Sequence, residues 1–311
     1  MKAVFLDRAS FPDSISFNYP SDITVTEYDN TLAEQVEDRI QNADVILVNK
    51  VQLTQTSLSK CHTLSLILVT ATGTNNVDLD YCKAHNITVK NVSGYSINSV
   101  PEHTFSLLLA LKRNLISYQQ AVQKGDWGQS AHFCFHDYPI TDLAGSNLVI
   151  FGKGALGKQV AKIATAFGMQ CYFSERKGAS QIREGYIAFD KALKLADVIS
   201  FHCPLTPENQ HMIDAAAFTK MKPNCVLINT GRGGLVEENA LANAIRTKQI
   251  AGAGFDVASI EPMPNNHLLQ SLSQEPNFIL TPHIAWASHN SMQTLANTCI
   301  QQLNDFVNKV K

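Results

Sequence analysis

Arg232, Glu261 and His283 are the side chains in this sequence best suited to chemistry, and each follows a short apolar run. Val226-Leu-Ile-Asn-Thr-Gly precedes Arg232, Ile250-Ala-Gly-Ala-Gly-Phe-Asp256 leads to Glu261, and Phe278-Ile-Leu-Thr-Pro precedes His283. Ligands of an open parallel sheet bind where strands end. A guanidinium, a carboxylate and an imidazole at successive strand ends therefore suit reduction of a carbonyl. Arg232 offers a planar fork of donors to anchor an anion and polarise the carbonyl. His283 suits the proton donor, because an imidazole ordinarily titrates at about 6.5 and a neighbour can lift it. Glu261 on one ring nitrogen would fix the tautomer and favour the imidazolium. Taken singly, each has a blander reading: Arg232 as a loop bridge, Glu261 before Pro262 as a turn cap, His283 after Pro282 as corner filling.

The hydride source such a reaction needs is announced upstream. Asn147-Leu-Val-Ile-Phe151 reads as a strand, and Gly152-Lys-Gly-Ala-Leu-Gly157 follows it directly before a helical pattern. Gly152 permits the tight turn, Gly154 lets the backbone approach a pyrophosphate, and Gly157 allows close helix–strand packing. The helix N-terminus, with the N–H groups of Ala155 and Leu156, adds donors and a positive dipole end. Glu175 ends the next predicted strand, 23 residues after Gly152. It can accept bonds from the adenosine ribose hydroxyls and would repel a 2′-phosphate, which favours NAD. Arg176 and Lys177 pull the other way. Asp256 is placed to hold the nicotinamide, with a solvent-facing turn as its alternative. Asn49-Lys50 ends another strand on the same expected rim, in place to touch the substrate, and Ala71-Thr-Gly-Thr-Asn-Asn-Val-Asp78 has the form of a small-residue anion loop. Backbone N–H groups around Thr72 and Gly73 suit a substrate carboxylate. Asp78 can also open the following helix.

The elements that must position these residues alternate from end to end, as expected of an α/β protein with parallel sheets. Strands are predicted at 2–6, 44–48, 65–69 and 87–90, with helices at 31–41 and 78–85. One long helix is expected from Val100 to Gln119. The second half reads strand 147–151, helix 155–167, strand 170–174, helix 188–194, strand 197–202, helix 214–220, strand 225–229, helix 237–247, and strands 250–255 and 277–280. A last helix at 290–309 is expected to pack back on the first domain, because the second sheet is already complete.

At 311 residues, 45% hydrophobic and 17% charged, the chain fits two globular domains. A net charge of −2 leaves no electrostatic footprint for nucleic acid. The apolar runs are too short for a membrane span, and the N-terminus reads as a strand rather than a signal peptide. Seven scattered cysteines without a CxxC fit a reducing cytoplasm and give no metal site.

Gly152–Gly157, His202-Cys-Pro-Leu-Thr-Pro207, Ile228-Asn-Thr-Gly-Arg-Gly-Gly234, Asp256 to Glu261-Pro262 and Thr281-Pro-His-Ile284 together resemble the D-isomer-specific 2-hydroxyacid dehydrogenase family almost end to end. The resemblance implies catalytic roles for Arg232, Glu261 and His283, and cofactor contacts that include Cys203, Pro204 and Thr230. It implies two doubly wound parallel-sheet domains. A Rossmann NAD-binding domain would span 99–284, and a flavodoxin-like substrate domain 1–98 plus 285–311. Asn91-Val-Ser-Gly-Tyr-Ser96, Phe135–Gly145, Glu175-Arg-Lys-Gly178 and His283-Ile-Ala-Trp-Ala-Ser288 resemble the glycerate dehydrogenase (hydroxypyruvate reductase) branch. The implied reaction is NADH-dependent reduction of a small 2-oxo acid by a cytoplasmic homodimer joined through the 100–145 segment. Pro101, where relatives more often carry a small residue, departs from the pattern. Two alternatives stay open: a family member acting on D-lactate or a bulkier acid, and a non-catalytic NAD-sensing protein of the co-repressor type.

Overall fold

The computed structural model describes residues 1–310; Lys311, the last residue of the predicted substrate domain, lies outside them. The chain divides into two compact units. Met1–Ser96 joins the C-terminal segment from Ala287 in the first, and Ile97–Trp286 forms the second.

In the first unit β1 (Lys2–Phe5), β2 (Thr24–Glu27), β3 (Val45–Val48), β4 (Leu66–Val69) and β5 (Thr88–Asn91) form a parallel sheet ordered β2-β1-β3-β4-β5. This is the flavodoxin-like doubly wound order. Every residue of β3 and β4 is buried, as expected where helices cover both faces of a sheet. Each such Leu or Ile contributes about 1.5–3 kcal/mol by leaving water. The edge strand β2 is absent from the sequence reading. Its Thr-Val-Thr-Glu run has no fully buried position, so no hydrophobic pattern marks it. The helix expected at 31–41 is a 3-10 turn, Ala33–Gln35, leading into a short helix, Val36–Ile40. Asp78 opens the helix Leu79–Ala84 by accepting the N–H of Tyr81 at 2.9 Å. The tail helix His289–Val310 packs against β4, and Gln302 reaches the Asn91 carbonyl at 3.0 Å.

In the second unit β6 (Asn147–Phe151), β7 (Gln170–Phe173), β8 (Val198–Phe201), β9 (Val226–Asn229), β10 (Gly252–Phe255) and β11 (Phe278–Leu280) pair in parallel, in the order β11-β10-β9-β8-β6-β7. The chain reverses its direction of travel across the sheet at β6 and β8, which creates the crevice where such folds bind ligands. Successive residues serve opposite faces. Val149, Phe151, Ile199, Phe201 and Leu227 enter one core, and Leu148, Ile150, Val198, Val226 and Ile228 the other.

The single helix expected from Val100 to Gln119 is two, Ser99–Lys112 and Leu115–Lys124. They part at Asn114, which takes a left-handed φ of 48° while its side-chain amide donates to the Pro139 carbonyl. Asparagine tolerates that conformation better than most residues. Pro101 falls in the first turn, where a missing N–H costs no helical hydrogen bond. Among the described residues no helix is long and apolar enough to cross a membrane.

Candidate active site

The turn after β6 is built by close approach. Gly152 has φ 109°, and a Cβ there would run into the His202 carbonyl and the Cys203 N. A Cβ on Gly157 would run into the Gly152 carbonyl. The loop after β8, with Cys203 and Pro204, therefore lies directly against the glycine turn. Over Gly154 there is open space, and Gly154 is the N-cap of the twelve-residue helix Ala155–Ala166 with no side chain capping it. The N–H groups at Ala155 and Leu156 are thus left for a ligand, and no acid sits in that first turn to compete. A dinucleotide pyrophosphate fits this cradle. Thr230 directly follows β9, its hydroxyl 3.1 Å from that of Thr104. Burial pushes the Cys203 thiol up to about 11 and holds the His202 imidazole down to about 4. Burial thus favours the uncharged form of both.

Glu175, at the end of β7, is buried, with 2% of its side chain exposed. Sequence reasoning pointed its carboxylate at a ribose. In the structure Arg183 clasps it with two bonds, Nε to Oε2 at 2.6 Å and Nη2 to Oε1 at 2.7 Å. The Arg176 N–H adds a third at 2.9 Å. These donors, Arg183 foremost, hold the carboxyl down to about 2 despite burial. The Arg176 side chain is 82% exposed, and Lys177 pairs with Asp214.

Arg232 follows β9 in extended conformation. Asn229, fully buried, holds this loop by accepting from Gly231 N at 3.1 Å and donating to the Arg232 carbonyl at 2.9 Å. The guanidinium bonds the Gly231 carbonyl with Nη1 at 2.7 Å, and further N–H groups remain for an anion. Gly233 passes so close to Ala258 and Ser259 that no Cβ could be accommodated. The Arg232 loop is thereby pressed onto the loop that carries Glu261.

Glu261 and His283 meet. Oε2 of Glu261 lies 2.6 Å from His283 Nδ1, and Oε1 accepts the Ala258 N–H at 3.0 Å. No described residue bonds His283 Nε2. His283 has φ 55°, a conformation rare outside glycine that costs energy and clusters at functional sites. Asp256, at 1% exposure, holds the strained turn in place. Its Oδ1 accepts Thr281 Oγ1 at 2.6 Å and Ile284 N at 2.9 Å, and its Oδ2 accepts Ala285 N at 2.8 Å. His103 Nε2 lies 2.9 Å from the same Thr281 hydroxyl. Sequence reasoning gave Asp256 to the nicotinamide; the structure shows its carboxylate engaged with the histidine turn.

In the first unit, Asn49 and Lys50 follow β3, and Thr72 and Gly73 follow the adjacent β4. Asn49 donates to the Thr70 carbonyl at 3.2 Å, so it joins the two strand ends. Thr72 donates its hydroxyl to the Val92 carbonyl at 3.0 Å. The organiser of this rim is Asp7, which sequence reasoning passed over. Its carboxylate accepts the N–H groups of Asn49 at 2.8 Å, Lys50 at 2.6 Å and Val51 at 3.2 Å. Burial raises its pKa, and those three donors oppose the rise. The available signal was an acid just past a central apolar strand.

A parallel sheet with a glycine-turned anion cradle, and a histidine–carboxylate pair at its strand ends, defines a dinucleotide-dependent oxidoreductase. Residues 105–285 match the family model described as D-isomer specific 2-hydroxyacid dehydrogenase, NAD binding domain. The glycerate dehydrogenase of Methylorubrum extorquens is 43% identical, over 98% of this chain and 96% of that protein. The hydroxypyruvate reductase of Blautia hydrogenotrophica is 34% identical over 88% and 85%. Among solved structures, the D-lactate dehydrogenase of Aquifex aeolicus, complexed with NAD and lactic acid, is similar with a TM-score of 0.85. It is 30% identical, and the match covers 99% of this chain and 96% of that one. The chain belongs to the D-isomer-specific 2-hydroxyacid dehydrogenase family, in its glycerate dehydrogenase branch, and its second unit contains the NAD-binding domain.

Proposed function

We propose that this protein uses NADH to reduce a small 2-oxo acid, hydroxypyruvate foremost and glyoxylate as a side substrate, to the D-2-hydroxy acid, and catalyses the reverse oxidation. The observation that carries the reading is the 2.6 Å contact between Glu261 Oε2 and His283 Nδ1. It fixes the ring and leaves Nε2 to exchange a proton. The names of the Methylorubrum and Blautia relatives support the choice of substrate.

Arg232 binds the substrate carboxylate and polarises the carbonyl. His283 delivers a proton to the carbonyl oxygen as negative charge develops there, and accepts it back in the oxidation. Glu261 keeps the ring oriented through its contact with Nδ1. When bound, NADH supplies the hydride that the carbonyl carbon receives. Gly152, Gly154, Ala155, Leu156, Gly157, Cys203, Pro204 and Thr230 would hold the dinucleotide, with Arg176 at its adenosine end. Asn49, Lys50, Thr72 and Gly73 are the further substrate contacts we assign.

A homodimer joined through the 100–145 segment is part of this reading. Its support is a row of exposed apolar side chains within that segment: Leu115, Ile116, Trp127, Phe133 and Ile140. Gel filtration at micromolar concentration should give twice the 34.2 kDa chain mass; the mass of one chain would reject the dimer. A reducing cytoplasm is the proposed setting, in keeping with Cys61, Cys82, Cys225 and Cys299 as buried thiols.

The substrate test is NADH consumption with hydroxypyruvate, glyoxylate, pyruvate and a bulky 2-oxo acid. Turnover concentrated on the first two supports the reading, and preference for pyruvate or the bulky acid moves the chain to another branch activity. Tight NADH binding with no turnover on any of them would favour the sensor alternative.

A further inference from the structure

Glu175 stands where an acid discriminates against a 2′-phosphorylated adenosine, yet its charge is already matched. Arg183 reaches it because the chain after β7 doubles back. Ile187 bridges Ser174, with Glu175 N–H donating to the Ile187 carbonyl at 2.8 Å and Ile187 N–H to the Phe173 carbonyl at 2.8 Å. Four residues before Ile187, Arg183 lies beside the carboxylate and makes the two-bond clasp. The Tyr186 ring, 4.2 Å from the guanidinium carbon, further fixes the arginine.

Two acid–base pairs and a set of ring contacts engage most of the charges around this corner. Glu175 is matched by Arg183 and Asp214 by Lys177. Lys153, inside the glycine turn, lies over the rings of Phe173 and Tyr186. Glu208, across the next loop, turns its carboxylate to the Thr206 hydroxyl, although Arg176 still contributes to its low pKa. Arg176 is left with its side chain 82% exposed and only a distant contact to Glu175, 3.9 Å. An exposed arginine beside a neutralised acid favours an anion where a bare acid would repel one.

We propose that Arg183 is a specificity-determining residue: by sequestering Glu175 it removes the repulsion of an adenosine 2′-phosphate, and with Arg176 exposed the protein accepts NADPH alongside NADH. The proposal rests on the NAD-binding role of the second unit and not on the choice of 2-oxo acid. Its test is therefore direct titration of the purified full chain with NADH and NADPH, followed by nucleotide fluorescence without substrate. A failed substrate assay leaves this result standing, and the reverse also holds.

The wild-type protein should bind NADPH within tenfold of NADH. Arg183→Met frees the carboxylate and should raise the ratio of NADPH to NADH dissociation constants at least tenfold. The double variant Glu175→Gln with Arg183→Met carries no orphaned charge and should return the ratio to within threefold of wild type. A purely structural role for Arg183 would not show that rescue. Should Arg183→Met not fold, Arg176→Ala and the double variant carry the test, with Arg176→Ala expected to weaken NADPH at least tenfold more than NADH. NADPH binding more than tenfold weaker than NADH in the wild type would overturn the proposal. An unchanged ratio in Arg183→Met, or in Arg176→Ala, would overturn it too.

Discussion

Oδ2 of Asp256 lies 2.8 Å from the backbone N of Ala285, two residues beyond His283. With Ile284 N and the Thr281 hydroxyl on Oδ1, the buried carboxylate closes a turn that forces His283 into a left-handed conformation. Hydrogen bonds to a charged group are each worth about 1.5–3 kcal/mol net. Asp256→Ala should therefore cost at least about 2 kcal/mol of stability and, by loosening the turn, lower kcat by more than tenfold. Denaturant unfolding alongside steady-state kinetics checks both. Unchanged stability would remove Asp256 as the support of the histidine.

Glu261→Gln keeps an oxygen that can face Nδ1 but removes the charge. A positioned acid–base group contributes about 10²–10⁴-fold, and the carboxylate is one part of that unit. The expected fall in kcat is between about tenfold and a hundredfold, with NADH affinity moving less than threefold. A kcat within twofold of wild type would show that the carboxylate's charge does nothing for the proton transfer.

His202 gives the stability a pH dependence of defined sign. Its imidazole is half-buried, Nε2 meets the Ser200 hydroxyl at 2.8 Å, and Nδ1 is a buried atom without a hydrogen bond. Burial holds its pKa down to about 4 in the folded state, against about 6.5 unfolded. The unfolded chain therefore takes up this proton first as pH falls. The stabilisation is complete above pH 6.5 and is lost progressively down to pH 4, at most about 3 kcal/mol. A His202→Asn variant should show a shallower decline in unfolding free energy across that window. An unchanged slope would mean the ring is solvated.

Much of this architecture is legible in the chain because its central strands are continuous apolar runs. Val45–Val48 and Leu148–Phe151 announce buried parallel strands without tertiary information. Where burial does not constrain the residues, the pattern fails. β2 lies at an edge, and the break at Asn114 depends on one asparagine whose left-handed backbone leaves no hydrophobic signature. The site divides the same way. Strand ends and glycine spacing point to Arg232, Glu261 and His283 as a set, because the fold places successive strand ends on one rim. Which donor meets which carboxylate is settled by loop geometry instead. Arg183 finds Glu175 through a doubled-back segment, and Asp7 finds Asn49, Lys50 and Val51 across neighbouring strands.

Proton transfer by His283 in a carbonyl reduction is checked by comparing wild-type and His283→Ala turnover of hydroxypyruvate with NADH, with NADH affinity measured on both. The expected result is a fall in kcat of about 10²–10⁴-fold at nearly unchanged NADH affinity. Near-normal turnover by His283→Ala would contradict it.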